Sequence, residues 1–232
     1  TDNKVDAIIG PSGSPNAVAV VGIAAKAGVP LLAPVGTAAV VLPMDAQKKW
    51  VFKTTQNDNV IAEALIADMV KRGIKTVGFV GTSDPYGENW HKVFSGLAAS
   101  KGIQVVAKES FQRQDTSLTG QALKIISKKP QAVLIAAPGG AAVTPQVALF
   151  DRGYKGQIYQ THGAALDEFL KRGGKKVENT ILAASLMLVL NEIPATHPSK
   201  ALATKYMNDY KKLHGTFPAT FGANVYDAGL LL

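Results

Sequence analysis

The chain has 232 residues, a formal net charge of +8, 47% hydrophobic and 18% charged residues, and no cysteine. This composition suits a globular protein with a sizeable core and excludes a disordered chain, a disulfide framework, a thiolate nucleophile and a cysteine-based zinc site. No apolar run reaches the roughly 18 residues of a membrane span, and the basic pairs Lys48-Lys49, Lys71-Arg72, Lys128-Lys129, Lys175-Lys176 and Lys211-Lys212 sit at expected helix ends and loops, as solvated, dipole-compensating charges do. No dense basic run with interleaved aromatics marks a nucleic-acid partner.

Val5–Ile9 reads as a buried strand that runs into the small-residue turn 10–13. The turn opens a helix at Ser14, followed by Pro15 in a favourable first-turn position, and the helix runs to Ala27 with Gly28 closing it. Free N–H groups at such a start, with a serine hydroxyl beside them, form a ready site for a carboxylate. Val29–Ala33 is the next strand. It ends in Pro34-Val35-Gly36-Thr37-Ala38, and parallel strands carry ligand sites at their C-terminal ends, so both loops should face one crevice. Trp50–Thr54 reads as an extended connector.

From there the alternation is regular. Asn57–Arg72 is an amphipathic helix capped by Asn57 or Asn59 and stopped by Gly73. The following elements are a strand at Thr76–Gly81, a helix at Gly87–Lys101, a strand at Gln104–Glu109, and a helix at Ser117–Lys128 capped by Asp115, Thr116 or Ser117. Then come a strand at Ala132–Ala137, a helix at Ala142–Arg152, a strand at Gln157–Tyr159, a short helix at Leu166–Gly173 and a strand at Thr180–Ala184. Strands separated by helices of this length imply a doubly wound parallel sheet in an α/β protein. Pro198–His214 is a helix ending at Gly215, and Phe221–Leu232 begins another. Residues 57–184 then form one complete domain, while 1–50 and 191–232 are parts of a second, incomplete one. Both ends are expected to be cuts through a longer protein, with an export signal upstream.

Together these features resemble the periplasmic substrate-binding proteins of ABC importers, of the leucine/isoleucine/valine-binding type. The resemblance runs over essentially the whole chain. Its carriers are Ile9-Gly10-Pro11 with Ser14, Gly28-Val29-Pro30 followed by Pro34 and Thr37, Tyr86-Gly87 after a strand, and Phe221 with Tyr226-Asp227-Ala228. It implies two doubly wound α/β lobes of the type I flytrap kind, joined by crossings at 50–56 and 182–190. It further implies that Ser14 and Thr37, with backbone near Val35, hold a ligand carboxylate. Tyr86 closes over the ligand from the second lobe and Phe221 borders the pocket. A membrane permease is the implied partner, the location periplasmic and the state monomeric.

The position of the acidic residue that meets a ligand ammonium falls at His162, a departure from the family pattern. Neutral imidazole is a weak acceptor and its cation repels an ammonium. The small residues Gly139-Gly140-Ala141 stand where a tyrosine is frequent, so they leave more room or less closure. Both point away from an α-amino acid and toward an aromatic or other organic acid. No cofactor or metal is expected: the four histidines lack metal-ligand spacing, and His91, His197 and His214 read as structural. Gly10-Pro11-Ser12-Gly13 is not a nucleophile elbow, no phosphate-binding glycine motif is present, and Asp84 and Glu88 stand where a helix start favours negative charge. The competing readings are an α/β enzyme acting on a small acid and an effector-binding domain of a receptor or regulator.

Overall fold

A computed structural model describes residues 4–232, which build two separate parallel sheets. The first is small: β1 (Ile8–Ile9), β2 (Leu31–Ala33) and β3 (Val51–Lys53) lie side by side in that order. Helix α1 (Ser14–Ala27) links β1 to β2, and its Ala17, Val21 and Ala24 pack with Leu31, Ala33, Val35 and Val51. Gly28 ends the helix at φ +65°, the left-handed conformation that suits glycine at a C-terminus. The stretch expected as a connector therefore pairs as a third strand. Val51 is buried and Phe52 is exposed, the alternation of a strand with one covered face.

The second sheet holds β4 (Thr76–Thr82), β5 (Gln104–Phe111), β6 (Ala132–Ala136), β7 (Gln157–Gln160) and β8 (Ile181–Leu182), all parallel, in the order β5-β4-β6-β7-β8. That is a doubly wound order with its switch point between β4 and β6. On one face α2 (Asp58–Lys71) and α3 (Pro85–Ser100) pack Leu65, Met69, Trp90 and Phe94 against Val77, Phe79 and Leu134. On the other, α4 (Thr119–Ser127), α5 (Val143–Asp151) and α6 (Asp167–Gly173) pack Ile125, Leu149 and Phe169 against Val80, Val133 and Ile135. Successive side chains of β6 thus feed opposite cores, and such a strand must be apolar throughout.

Two helix starts differ from expectation for local reasons. Helix α3 begins at Pro85, two residues early, because the Asp84 carboxylate accepts from the N–H groups of Tyr86 and Gly87 and leaves proline at the first helical position. Helix α4 begins late: Asp115 turns back to accept from the Gln112 N–H, and the Ser117 hydroxyl pairs with that of Thr119. Past β8, residues 186–192 form 3-10 turns with a kink at Val189 rather than an extended crossing. Then come α7 (Lys200–His214) and α8 (Thr220–Leu230). The Thr54 hydroxyl donates to the carbonyl of Asn224, and the Thr220 hydroxyl to that of Ala165, so α8 is tied to the end of β3 and to the loop after β7. Among the described residues no helix is long and apolar enough to cross a membrane.

Candidate ligand-binding site

The C-terminal ends of β1 and β2 carry the first group. Ser14 opens α1 and is 4% exposed. Its N-cap is Gly13, which has no side chain to cap with, and the first turn holds no acidic residue. Nothing in the helix answers its N-terminal dipole. After β2, Val35 and Thr37 are both buried. The Thr37 Oγ1 accepts from the Ala39 N–H at 3.2 Å; a hydroxyl that accepts there keeps its proton free to donate, as a carboxylate requires.

The second sheet supplies the other group. Tyr86 lies in the first turn of α3, just past the end of β4. Its hydroxyl is 2.8 Å from the Thr161 Oγ1, and burial, helped by the charge of Asp58, pushes its pKa upward. Tyr86 is therefore engaged inside its own unit in this conformation. His162 follows β7 and is 7% exposed, with ring centroids 6.1 Å from Tyr86 and 5.9 Å from Trp90. Burial, and next the nearby Lys53 charge, push its pKa down to about 4, so it is neutral at physiological pH. Its Nδ1 has no hydrogen-bond partner.

These two groups meet at Gly36. A Cβ placed on Gly36 would stand 2.9 Å from the His162 Nε2 and 3.1 Å from the Asp58 Oδ1. The loop after β2 thus faces residues of the second unit directly. Phe221 sits at the start of α8, one residue from the Thr220 tie to Ala165, and is half-buried. At the small-residue loop, a Cβ on Gly140 would meet the ends of the Arg172 and Glu168 side chains, the exposed ion pair on α6, while one on Gly139 would meet only ordinary contacts. Asp84 and Glu88 are committed to Arg113 and Lys108.

Two charged residues at this meeting point escape sequence reasoning. Asp58, the first residue of α2, is fully buried; its Oδ2 accepts from the Asn89 Nδ2 at 2.5 Å and its Oδ1 has no partner. Burial raises its pKa to about 7 against the pull of Lys53 and Asn89. Lys53, at the end of β3, donates to the carbonyls of Gly36 (2.7 Å) and Thr37 (3.3 Å), and burial lowers its pKa to about 8 against the opposing charge of Asp58. In sequence, Asp58 is an ordinary acid in a first helical turn and Lys53 one more lysine.

A cavity of about 870 Å³ lies to one side, between the loop after β7, the 186–192 turns and α7. It is walled by Leu166, Leu170, Met187, Leu190, Met207 and Phe217. Lys200 at its edge already donates to the Leu190 carbonyl. The meeting point at Gly36 lies apart from that cavity, and its buried polar groups are Thr37, Asp58 and His162. Among the described residues no cluster of three potential metal ligands is present.

The family described as periplasmic binding protein matches residues 1–232. The chain belongs to the periplasmic binding protein family. A solved extracellular ligand-binding receptor from Rhodopseudomonas palustris HaA2 is 42% identical, with a TM-score of 0.95 over 99% of this chain and 64% of that one. The chain therefore spans less than two thirds of that relative. The leucine binding protein LivK of Thermotoga maritima (24% identity, TM-score 0.84, 98% of this chain and 63% of that one) shares the fold. So does a solute binding protein of an R. palustris ABC transporter in complex with benzoate (20%, TM-score 0.83, 100% and 62%). A comparison with curated proteins finds no match. Its two parallel α/β sheets have the fold of the type I periplasmic binding proteins.

Proposed function

We propose that the chain is the ligand-capturing part of a periplasmic solute-binding protein that serves an ABC importer and delivers a small carboxylate to a membrane permease. Residues 1–50 with 191–232 act as one lobe and 57–184 as the other, with 50–56 and 182–190 as crossings. The carboxylate sits against Ser14, Val35 and Thr37. Tyr86 and His162 face it from the second lobe, and Phe221 borders it.

The observation that carries this reading is the convergence at Gly36: the loop that bears the Thr37 hydroxyl meets, from the other sheet, a neutral histidine whose Nδ1 has no partner. A neutral imidazole can donate to a hydroxyl, carbonyl or second carboxylate, which favours an organic or aromatic acid. The orphan Oδ1 of Asp58 favours a second reading, an amino acid whose ammonium it would meet. Proteins of this fold handle both classes, since one is a leucine binding protein and another is solved with benzoate.

A thermal-shift screen of the purified protein with benzoate and leucine at equal concentration separates the readings. At a hundredfold excess over its dissociation constant a ligand adds about 2.7 kcal/mol. A larger shift with benzoate supports the organic-acid reading. A shift with leucine alone moves the ligand to the amino acids with Asp58 as its anion. No shift with these or any other small carboxylate overturns the proposal.

A further inference from the structure

Lys53 reaches back 16 and 17 residues to bind two consecutive carbonyls, those of Gly36 and Thr37, with one ammonium. A peptide unit is planar and trans, so its N–H points opposite to its C=O. The carbonyl of Gly36 shares its peptide with the N–H of Thr37, and the carbonyl of Thr37 shares its own with the N–H of Ala38. Turning both carbonyls onto Lys53 therefore turns both N–H groups away from it, to the other side of the loop. Neither N–H meets an acceptor among the described residues, although Thr37 is fully buried. Buried backbone donors are rarely left unpaired. The Thr37 hydroxyl adds a third donor to the same loop.

We propose that Lys53 is a positioning residue for the anion-binding loop: it holds the Gly36 and Thr37 carbonyls on one side so that the Thr37 and Ala38 N–H groups stand aligned for a ligand carboxylate on the other. Its charge, passed through two polarised peptides, strengthens those donors. Asp58 keeps the ammonium charged in a partly buried place. The other titratable groups packed at this point are His162, which is neutral and follows β7, and Tyr86 at the start of α3, whose hydroxyl is bound to Thr161. Neither supplies a charge that could replace Asp58. The role of Lys53 rests on the carboxylate reading above only for the identity of what the donors meet; the orientation of the loop does not depend on it.

The test compares the parent with Lys53→Met, Lys53→Arg and Asp58→Asn. Amide resonances of Thr37 and Ala38 are followed from pH 6 to 10, and calorimetry measures benzoate and leucine binding over the same range. In the parent, both amides should shift as Lys53 titrates near pH 8, and affinity for the ligand that binds should fall through the same midpoint. In Lys53→Met the amide step disappears, affinity at pH 7 drops at least tenfold, and the pH profile flattens, while the melting transition stays cooperative. Lys53→Arg keeps the donors and a charge that does not titrate, so it should recover affinity to within a few fold and hold it past pH 9. Asp58→Asn should move the amide midpoint to lower pH. Parent-like amides or parent-like affinity in Lys53→Met would overturn the proposal, as would an Arg variant no better than Met. If the parent binds neither probe, that result counts against the carboxylate reading, and the amide titration alone decides the role of Lys53.

Discussion

At the scale of single residues, the proposed site sets the donors of the loop after β2 against a histidine kept neutral by burial. If the Ser14 hydroxyl meets a carboxylate, Ser14→Ala should weaken binding by about 1.5–3 kcal/mol, the worth of a hydrogen bond to a charged group. Stability without ligand should hardly change, because Ser14 lies inside the helix and Gly13 occupies the cap position. Calorimetry giving parent-like affinity would remove Ser14 from the site. His162 and Asp58 make a second, opposed pair of predictions. The His162 pKa is lowered from 6.5 to about 4 on folding, so the unfolded chain binds its proton first and stability is lost as pH falls through that window, by about 3 kcal/mol at most. Asp58 is raised from 3.8 to about 7, so the folded state binds its proton first and stability is gained as pH falls. The two offset each other in the parent. Urea unfolding at pH 7 and pH 4.5 should show His162→Gln gaining stability on acidification and Asp58→Asn losing it. Equal acid responses in the two variants would mean that neither group is buried in the state that these shifts require.

At the scale of elements, α3 shows how much of the fold the chain declares locally. The strand Thr76–Gly81 and a helix after it were legible, but the helix was placed from Gly87, and the Asp84 cap with Pro85 behind it starts it two residues earlier. What was not legible is why Gly87 follows Tyr86. The first turn of α3 passes so close to the end of β4 that a Cβ on Gly87 would run into the backbone of Thr82. Gly96, nine residues on in the same helix, has open space around it. Gly87→Ala should therefore cost about 3 kcal/mol or more, through a forced shift of backbone. Gly96→Ala should stabilise by about 0.5–1 kcal/mol through helix propensity alone. Denaturant melts of the two variants check this, and similar effects from both would contradict the close approach. The late start of α4 and the conversion of 50–54 into a strand share one cause. Side-chain partners and a neighbouring strand, neither visible in a local window, decided between conformations that propensity leaves nearly equal.

At the scale of the whole molecule, the rule that loops after parallel strands share one side pointed to the Ser14 turn and the 34–38 loop. The roles of Val35, Thr37, Tyr86 and His162 came from the family resemblance instead. Lys53 and Asp58 did not stand out, since the carbonyls that Lys53 binds and the Asn89 amide on Asp58 lie on segments that a local window does not join. Gly36 is the point where the two units meet, and it carries the last prediction. His162 cannot retreat from it easily, being buried beside Tyr86 and Trp90. A methyl group at position 36 would press on both the imidazole and the Asp58 carboxylate at about 3 Å, closer than ordinary packing allows. In the proposed flytrap this clash exists only when the lobes are closed, so Gly36→Ala should shift the population toward the open state. A penalty of about 1.4 kcal/mol on closure appears as a tenfold loss of affinity. Scattering should give Gly36→Ala a larger radius of gyration than the parent, with cooperative unfolding of the second-sheet unit retained. Adding His162→Ala to Gly36→Ala removes the obstruction and should bring the radius back toward that of the parent. An unchanged radius in Gly36→Ala, or no return in the double variant, would mean that the contact at Gly36 is not what meets on closure.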